Sequence, residues 1–192
     1  MKKLLVSAGI ILLISGFNFV NAQIRVQPGI KGGVSFSQVT NLKGDERVTG
    51  HGGIFLNTML NDRWSIQPEL LYSAQGQKFK DENSSKNVLA LDYLQLPVML
   101  QYSPVSKVYL EAGPQVGLLV NAKIEGPNDA NKADVKDNYK KADFGVNVGL
   151  GVNATKNIGI YGRYNFGIMD VTKSDAVYRQ NRDLQLGAAI KF

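Results

Sequence analysis

Apolar and polar side chains alternate with a period of two along most of this chain. The last such segment shows the pattern most clearly, and its apolar positions are Leu184, Leu186, Ala188, Ile190 and Phe192. Successive side chains of a β-strand point to opposite sides, so the pattern predicts a strand with one apolar face. Seven earlier segments alternate in the same way, and the chain is therefore predicted to be all-β with eight strands.

The connections between these segments are alternately long and short. The predicted strands lie near residues 29–37, 51–60, 64–75, 90–102, 108–120, 142–153, 157–168 and 183–192. The long connections are 38–50, 76–89, 121–141 and 169–182, and the short ones are 61–63, 103–107 and 154–156. A soluble β-sandwich also alternates, but outer-membrane barrels combine alternation with long external loops and tight periplasmic turns. We predict an eight-stranded antiparallel up-and-down transmembrane β-barrel with both mature termini in the periplasm.

The N-terminus has the layout of a secretory signal peptide. Met1-Lys2-Lys3 is basic, an apolar run continues to Val20, and Val20 and Ala22 occupy the positions before a cleavage site. Residues 1–22 are predicted to be removed, which leaves 23–192 as the barrel domain. The alternative is that the N-terminal segment is retained as a membrane helix. In the rest of the chain, no stretch is apolar and long enough for a transmembrane helix.

Aromatic residues on the apolar faces fall at two levels. We expect Phe36, Tyr72, Phe144 and Phe166 near the outer rim, and Trp64, Tyr102 and Phe192 near the periplasmic rim. Aromatic belts of this kind mark the two interfaces with outer-membrane lipid. Phe192 ends an apolar strand, and we expect it to be the recognition signal for the barrel-assembly machinery, as in outer-membrane barrels generally.

Four charged residues are predicted to face the barrel interior: Lys31, Glu69, Glu111 and Arg163. An eight-stranded barrel is only wide enough inside for side chains, and an unpaired buried charge is costly. We therefore predict that these four residues form a charge network that plugs the lumen, so that no open pore is present.

Other kinds of site have little support. The formal net charge is +6, but basic and acidic residues are intermixed along the chain. No basic cluster is interleaved with aromatic residues, which argues against nucleic-acid binding. The chain has no cysteine. The acidic residues of loop 121–141 do not match a calcium-binding loop, so we expect no metal. The sequence has no phosphate-binding glycine loop and no dinucleotide-binding motif, so we expect no cofactor.

We expect that the protein is not an enzyme. His51, the only histidine, is the residue that leaves a barrel enzyme as an alternative. Ser35, Asp92 and Asp183 are candidate partners for it, but the spacing singles out none of them.

Several segments resemble one family. They are Gly29–Ser37, Gly53–Asn57, Trp64–Ser73, Tyr93–Val98, Tyr109–Gln115, Asp143–Gly145 and Arg163–Gly167. They are similar to PorT-like outer-membrane β-barrel proteins, most of which have no assigned activity, and the namesake assists a protein-secretion system. The resemblance implies a small Gram-negative outer-membrane barrel. We expect a structural or surface-interaction protein that acts through its long loops, or alternatively a secretion accessory. A protein partner would meet it at the extracellular loops or the periplasmic turns.

Overall fold

The structure, a computed structural model, describes residues 25–42, 44–80, 86–126, 132–172 and 179–192. Nine strands make up most of these residues. The strands are β1 (Arg25–Val39), β2 (Asp45–Met59), β3 (Trp64–Lys80), β4 (Lys86–Val105), β5 (Val108–Glu125), β6 (Lys132–Asp134), β7 (Ala142–Asn153), β8 (Ile158–Gly167) and β9 (Asn181–Lys191). A 3₁₀ turn covers Lys136–Asn138. No helix in these ranges is long and apolar enough to cross a membrane. The predicted signal peptide lies outside the described residues.

Eight of the strands close into an antiparallel barrel, as predicted. Neighbours along the chain pair with each other, β5 pairs with β7, and β1 pairs with both β2 and β9. The seam between first and last strands is continuous from Gly29 opposite Lys191 to Val39 opposite Asn181. The short β6 pairs only with the far end of β5. A closed barrel has no free edge, so its backbone groups can be satisfied within lipid.

The predicted division of side chains between two faces is confirmed. Leu96 and Ile160 are 45% and 59% exposed on the outer surface, whereas the polar Ser35 and Asn147 are fully buried inside. An apolar exterior around a polar interior is the reverse of a water-soluble barrel, and it suits a barrel surrounded by lipid.

The short turns lie at one end of the barrel, which we call the turn end, and the longer connections lie at the opposite, loop end. Local hydrogen bonds fix two of the turns. Asn61 Oδ1 accepts hydrogen bonds from the backbone N–H groups of Arg63 and Trp64, both at 2.9 Å. Thr155 Oγ1 accepts from the N–H of Ile158 at 2.9 Å. Short Asx and ST turns of this kind let consecutive strands pair without a long loop.

Three of the four predicted loop-end connections are too long, whereas 169–182 agrees with the gap between β8 and β9. Residues 76–89 were expected to form a loop, but β3 continues to Lys80 and β4 begins at Lys86. The predicted loop 38–50 is likewise mostly strand, and loop 121–141 contains the end of β5, all of β6 and the 3₁₀ turn. The strands continue because their pairing there is supported by apolar residues that pack inside the barrel wall.

A cation on the outer face should block insertion. Arg in place of Leu96, at the middle of β4, is expected to destabilise the inserted barrel by about 2–4 kcal/mol, because a charge near the bilayer midplane is not solvated. The matched control is Val105→Arg at the turn end of β4, where the cost should be at most about 1 kcal/mol. Folding equilibria into lipid vesicles measure both, and equal stabilities would contradict the register described above.

Candidate functional site

The structure brings the four charged interior residues together at the middle of the lumen. Arg163 makes a bidentate contact with Glu69, with Nη1 donating to Oε2 and Nη2 to Oε1, both at 2.8 Å. Its Nε donates to Glu111 Oε1 at 2.8 Å, and Lys31 Nζ donates to Glu69 Oε1 at 3.1 Å. The four residues come from β1, β3, β5 and β8, so the ion pairs cross the barrel and join opposite parts of its wall.

Neutral side chains complete the hydrogen bonding of both carboxylates. Gln67 Nε2 donates to Glu69 Oε1 at 2.8 Å, and Gln101 Nε2 donates to Glu111 Oε2 at 3.0 Å. Each oxygen of Glu69 and Glu111 therefore accepts at least one hydrogen bond, which offsets the loss of water around a buried charge. Gly149 leaves the space that this requires, since a Cβ there would lie 3.0 Å from Glu111 Oε1.

A second hydrogen-bonded group lies in the interior on the loop-end side of this network and contains the single histidine. His51 Nδ1 is hydrogen-bonded to Ser35 Oγ at 2.9 Å, and Nε2 is hydrogen-bonded to the hydroxyl of Tyr161 at 2.6 Å. Ser35 also lies beside the carboxylate of Asp183, which accepts a hydrogen bond from Gln185 Nε2 at 2.8 Å. Asp92 is elsewhere, bonded to Asn121 Nδ2 at 3.0 Å. Of the three candidate partners of His51, the structure therefore groups Ser35 and Asp183 with it, but not Asp92.

This arrangement differs from that of a hydrolytic triad. In a triad the histidine lies between the serine and the carboxylate, where it can take the serine proton and be oriented by the acid. Here Ser35 lies between His51 and Asp183, and the side chains of Ser35 and Asp183 are fully buried. A catalytic serine must be accessible to its substrate, and Ser35 is not. The group formed by His51, Ser35 and Asp183 is therefore better suited to filling the barrel interior. Within the described ranges, no group of three or more metal-ligating side chains could hold a metal ion.

The loop end of the lumen is closed by apolar side chains, which the sequence analysis did not predict. We call them the loop-end cluster: Val39, Leu89, Leu91, Tyr93, Leu119, Ala122, Tyr139 and Val171. They come from β1, β4, β5 and two of the long connections. The cluster could have been predicted from apolar residues within the predicted loops, such as Leu89, Tyr139 and Val171, because loops exposed to solvent are mostly polar.

The predicted aromatic residues all occur on the outer face or at its edges. Trp64 and Tyr102 pair across β3 and β4 at the turn end, with ring centroids 4.7 Å apart. Tyr72, Phe144 and Phe166 are 40–50% exposed toward the loop end. Phe192 is 68% exposed, and its backbone N–H donates to the carbonyl of Pro28 at 2.9 Å.

A closed antiparallel barrel with a lipid-facing exterior and a packed polar interior defines the class of small outer-membrane β-barrels. The sequence profile of the family described as outer membrane protein beta-barrel domain matches residues 18–173. The chain belongs to this family, and its location is the outer membrane. The sequence matches none of the curated proteins.

Solved structures of the same class are similar in fold. Ail, the attachment invasion locus protein of Yersinia pestis, is 16% identical with a TM-score of 0.52, over 88% of this chain and 99% of that one. Neisserial surface protein A is 14% identical with a TM-score of 0.56, over 87% and 97%. OprG from Pseudomonas aeruginosa is 12% identical with a TM-score of 0.52, over 90% and 99%. At these identities the likeness concerns the fold alone.

The segments that carry the resemblance to PorT-like proteins lie in the barrel wall. Gln67–Leu70 belongs to β3 and Glu111–Gln115 to β5, and they supply both carboxylates of the charge network. The role of these two motifs in this structure is thus to supply side chains that fill the barrel interior. The closer relation to PorT-like proteins stays a prediction.

Removing the central cation should cost more stability than removing another arginine. Arg163→Gln leaves Glu69 and Glu111 buried without their main partner, which is expected to destabilise the barrel by about 3–5 kcal/mol. Adding Glu111→Gln should restore part of that stability, because one unpaired charge is then absent. The control is Arg182→Gln on the half-buried surface of β9. Urea unfolding from vesicles measures all three, and equal losses for the two single variants would contradict the network.

Proposed function

We propose that this protein is a non-conducting, non-catalytic outer-membrane barrel that serves as a structural or surface-interaction protein through its extracellular loop end. The observation that carries this proposal is the doubly closed lumen. The charge network fills the middle of the barrel, and the loop-end cluster fills its outer part. A pore needs a continuous water-filled path, and the charge network and the loop-end cluster each interrupt it.

The loop end suits a surface role because its framework is ordered and its tips are polar. β3 and β4 extend as a paired ladder as far as Lys80 opposite Lys86, well past the Tyr72–Leu94 pair. The cluster beneath holds these extensions together, which reduces the entropy lost when a partner binds to their surface. In the orientation usual for such barrels, the turn end lies in the periplasm.

Two further roles belong to this proposal. The aromatic residues at the two ends act as girdles in the interfacial regions of the outer membrane. Phe192, exposed at the end of the strand that closes the barrel, acts as the signal for the assembly machinery. Both are consistent with the positions of the side chains.

A secretion accessory is the second candidate, and the resemblance to PorT-like proteins is its only support. Purification from outer membranes in mild detergent separates the two functions. Stoichiometric secretion components would favour the accessory, whereas recovery of the barrel alone would favour a self-contained surface protein.

Reconstituted protein should not conduct. In planar bilayers we expect no current steps of porin size, because eight strands leave room only for side chains and these are cross-linked by ion pairs. A sixteen-stranded porin prepared identically is the control for successful insertion. Regular porin-sized steps from the folded protein would disprove the closed lumen.

Chemical labelling of intact cells tests the orientation. A membrane-impermeant amine reagent is expected to modify the exposed Lys78 at the loop end and to leave Lys107 and Lys156 at the turn end unmodified. Lysed cells are the control, in which all three should react. Labelling of Lys107 in intact cells, without Lys78, would reverse the proposed orientation and remove the basis for a surface role.

A further inference from the structure

Two hollows open side by side at the turn end of the barrel. The larger, about 470 Å³, lies between the start of β1, the end of β9 and the turns near residues 106–107 and 154–156. The smaller, about 260 Å³, reaches from the turn at 61–63 to Gln101 and Tyr109 inside the barrel. Gln27, Asn153 and Lys191 line both. We treat them as one feature, the turn-end vestibule.

The charge of the turn-end vestibule is almost entirely of one sign. Arg25, Lys107, Lys156 and Lys191 line the larger hollow, which has no carboxylate in its wall. The smaller hollow adds Arg63 and the single acid Asp62. The ion pairs found among the described residues all belong to the charge network, so none of them neutralises these five cations.

This excess is specific to the turn end. The four long connections, 38–50, 76–89, 121–141 and 169–182, together carry thirteen Lys or Arg and ten Asp or Glu. The surface charge at the loop end is thus mixed, whereas five cations face one carboxylate at the turn end. A concave surface lined by like charges focuses its field and raises the local concentration of ligands of opposite charge.

The cations are carried on a framework that is fixed by backbone hydrogen bonds. The N–H of Asn153 donates to the carbonyl of Lys107 at 2.7 Å, which joins two turns. Asn157 accepts from the N–H of Lys191 at 2.7 Å, and its Nδ2 donates to the carbonyl of Lys191 at 2.8 Å. Because β1, β9 and two turns are held in register, their charges converge before any ligand arrives, which lowers the cost of binding.

We propose that the turn-end vestibule binds an acidic peptide segment of a periplasmic protein. The hollows extend across the mouth of the barrel and distribute their cations over several strands and turns, as successive carboxylates of an extended peptide require. The charge network closes the lumen above, so the ligand docks without passing through. The identity of the partner as periplasmic rests on the orientation proposed above, which the labelling of Lys78 and Lys107 tests. Binding of an acidic peptide at the turn end is tested separately, below.

The test uses the full mature barrel in nanodiscs of zwitterionic lipid and a fluorescent oligoglutamate peptide. Fluorescence anisotropy should show binding that weakens as salt is raised from about 0.05 M to about 0.5 M, because exposed charges are then screened. Lys107→Gln with Lys156→Gln should weaken binding about tenfold, from the loss of two exposed ion pairs. The matched control is Lys78→Gln with Lys141→Gln, which removes the same charge from the loop end and should leave affinity unchanged.

Heat-modifiable migration on gels verifies that each variant is folded. Equal losses in the two double variants would overturn the proposal, since the attraction would then be a property of net charge. Unchanged binding in the Lys107 and Lys156 variant would overturn it as well. Displacement of the peptide by inorganic phosphate at similar concentration would identify a small-anion site instead. Displacement of the peptide by soluble short-chain phosphatidylglycerol, at concentrations where short-chain phosphatidylcholine has no effect, would identify lipid headgroups as the occupant instead.

Discussion

The contact of Arg163 with two carboxylates is the interaction on which the rest of the interior depends. Three of its donor groups are satisfied by Glu69 and Glu111, and the two carboxylates accept further hydrogen bonds from Lys31, Gln67 and Gln101. Charges this deeply buried are tolerated only as a complete set, because each unpaired member would be left without water or a counterion. The set also fixes which strands face each other across the lumen, so it specifies the barrel as well as filling it.

Most of the barrel could be predicted because its governing rule is local. A shift of one residue in any strand would turn its polar face toward lipid, for example Lys31 on β1 or Glu69 on β3, so the alternation is strict and readable. The interior residues were predictable as a group for the same reason. Their individual contacts were not, because sequence alternation identifies a face but does not determine which side chains meet. The link between Ser35, His51 and Tyr161 depends on strand register and on the curvature of the closed sheet.

The loop end could not be predicted from the membrane pattern, because it obeys a different rule. Beyond the Tyr72–Leu94 pair, apolar side chains of β4 face the interior and pack in the loop-end cluster, so the outward apolar pattern no longer applies. Leu89 and Leu91 there point inward and are buried, the opposite of the apolar residues nearer the turn end. The apolar residues of β4 therefore face outward near the turn end and inward near the loop end. A prediction that follows only the outward apolar face places the end of the strand too early.

The loop-end cluster also bears on how the protein stays inserted. In the orientation proposed above, a hairpin such as β3 and β4 crosses the hydrocarbon before Leu91 or Tyr93 meets Val39 and Val171, so the cluster forms after that crossing. Once the cluster has formed, exposing one of its buried leucines to water again costs about 1.5–3 kcal/mol of free energy. Withdrawal of a hairpin toward the cell interior would require the cluster to be taken apart first. The same side chains that close the lumen thus also oppose withdrawal of the hairpins from the membrane.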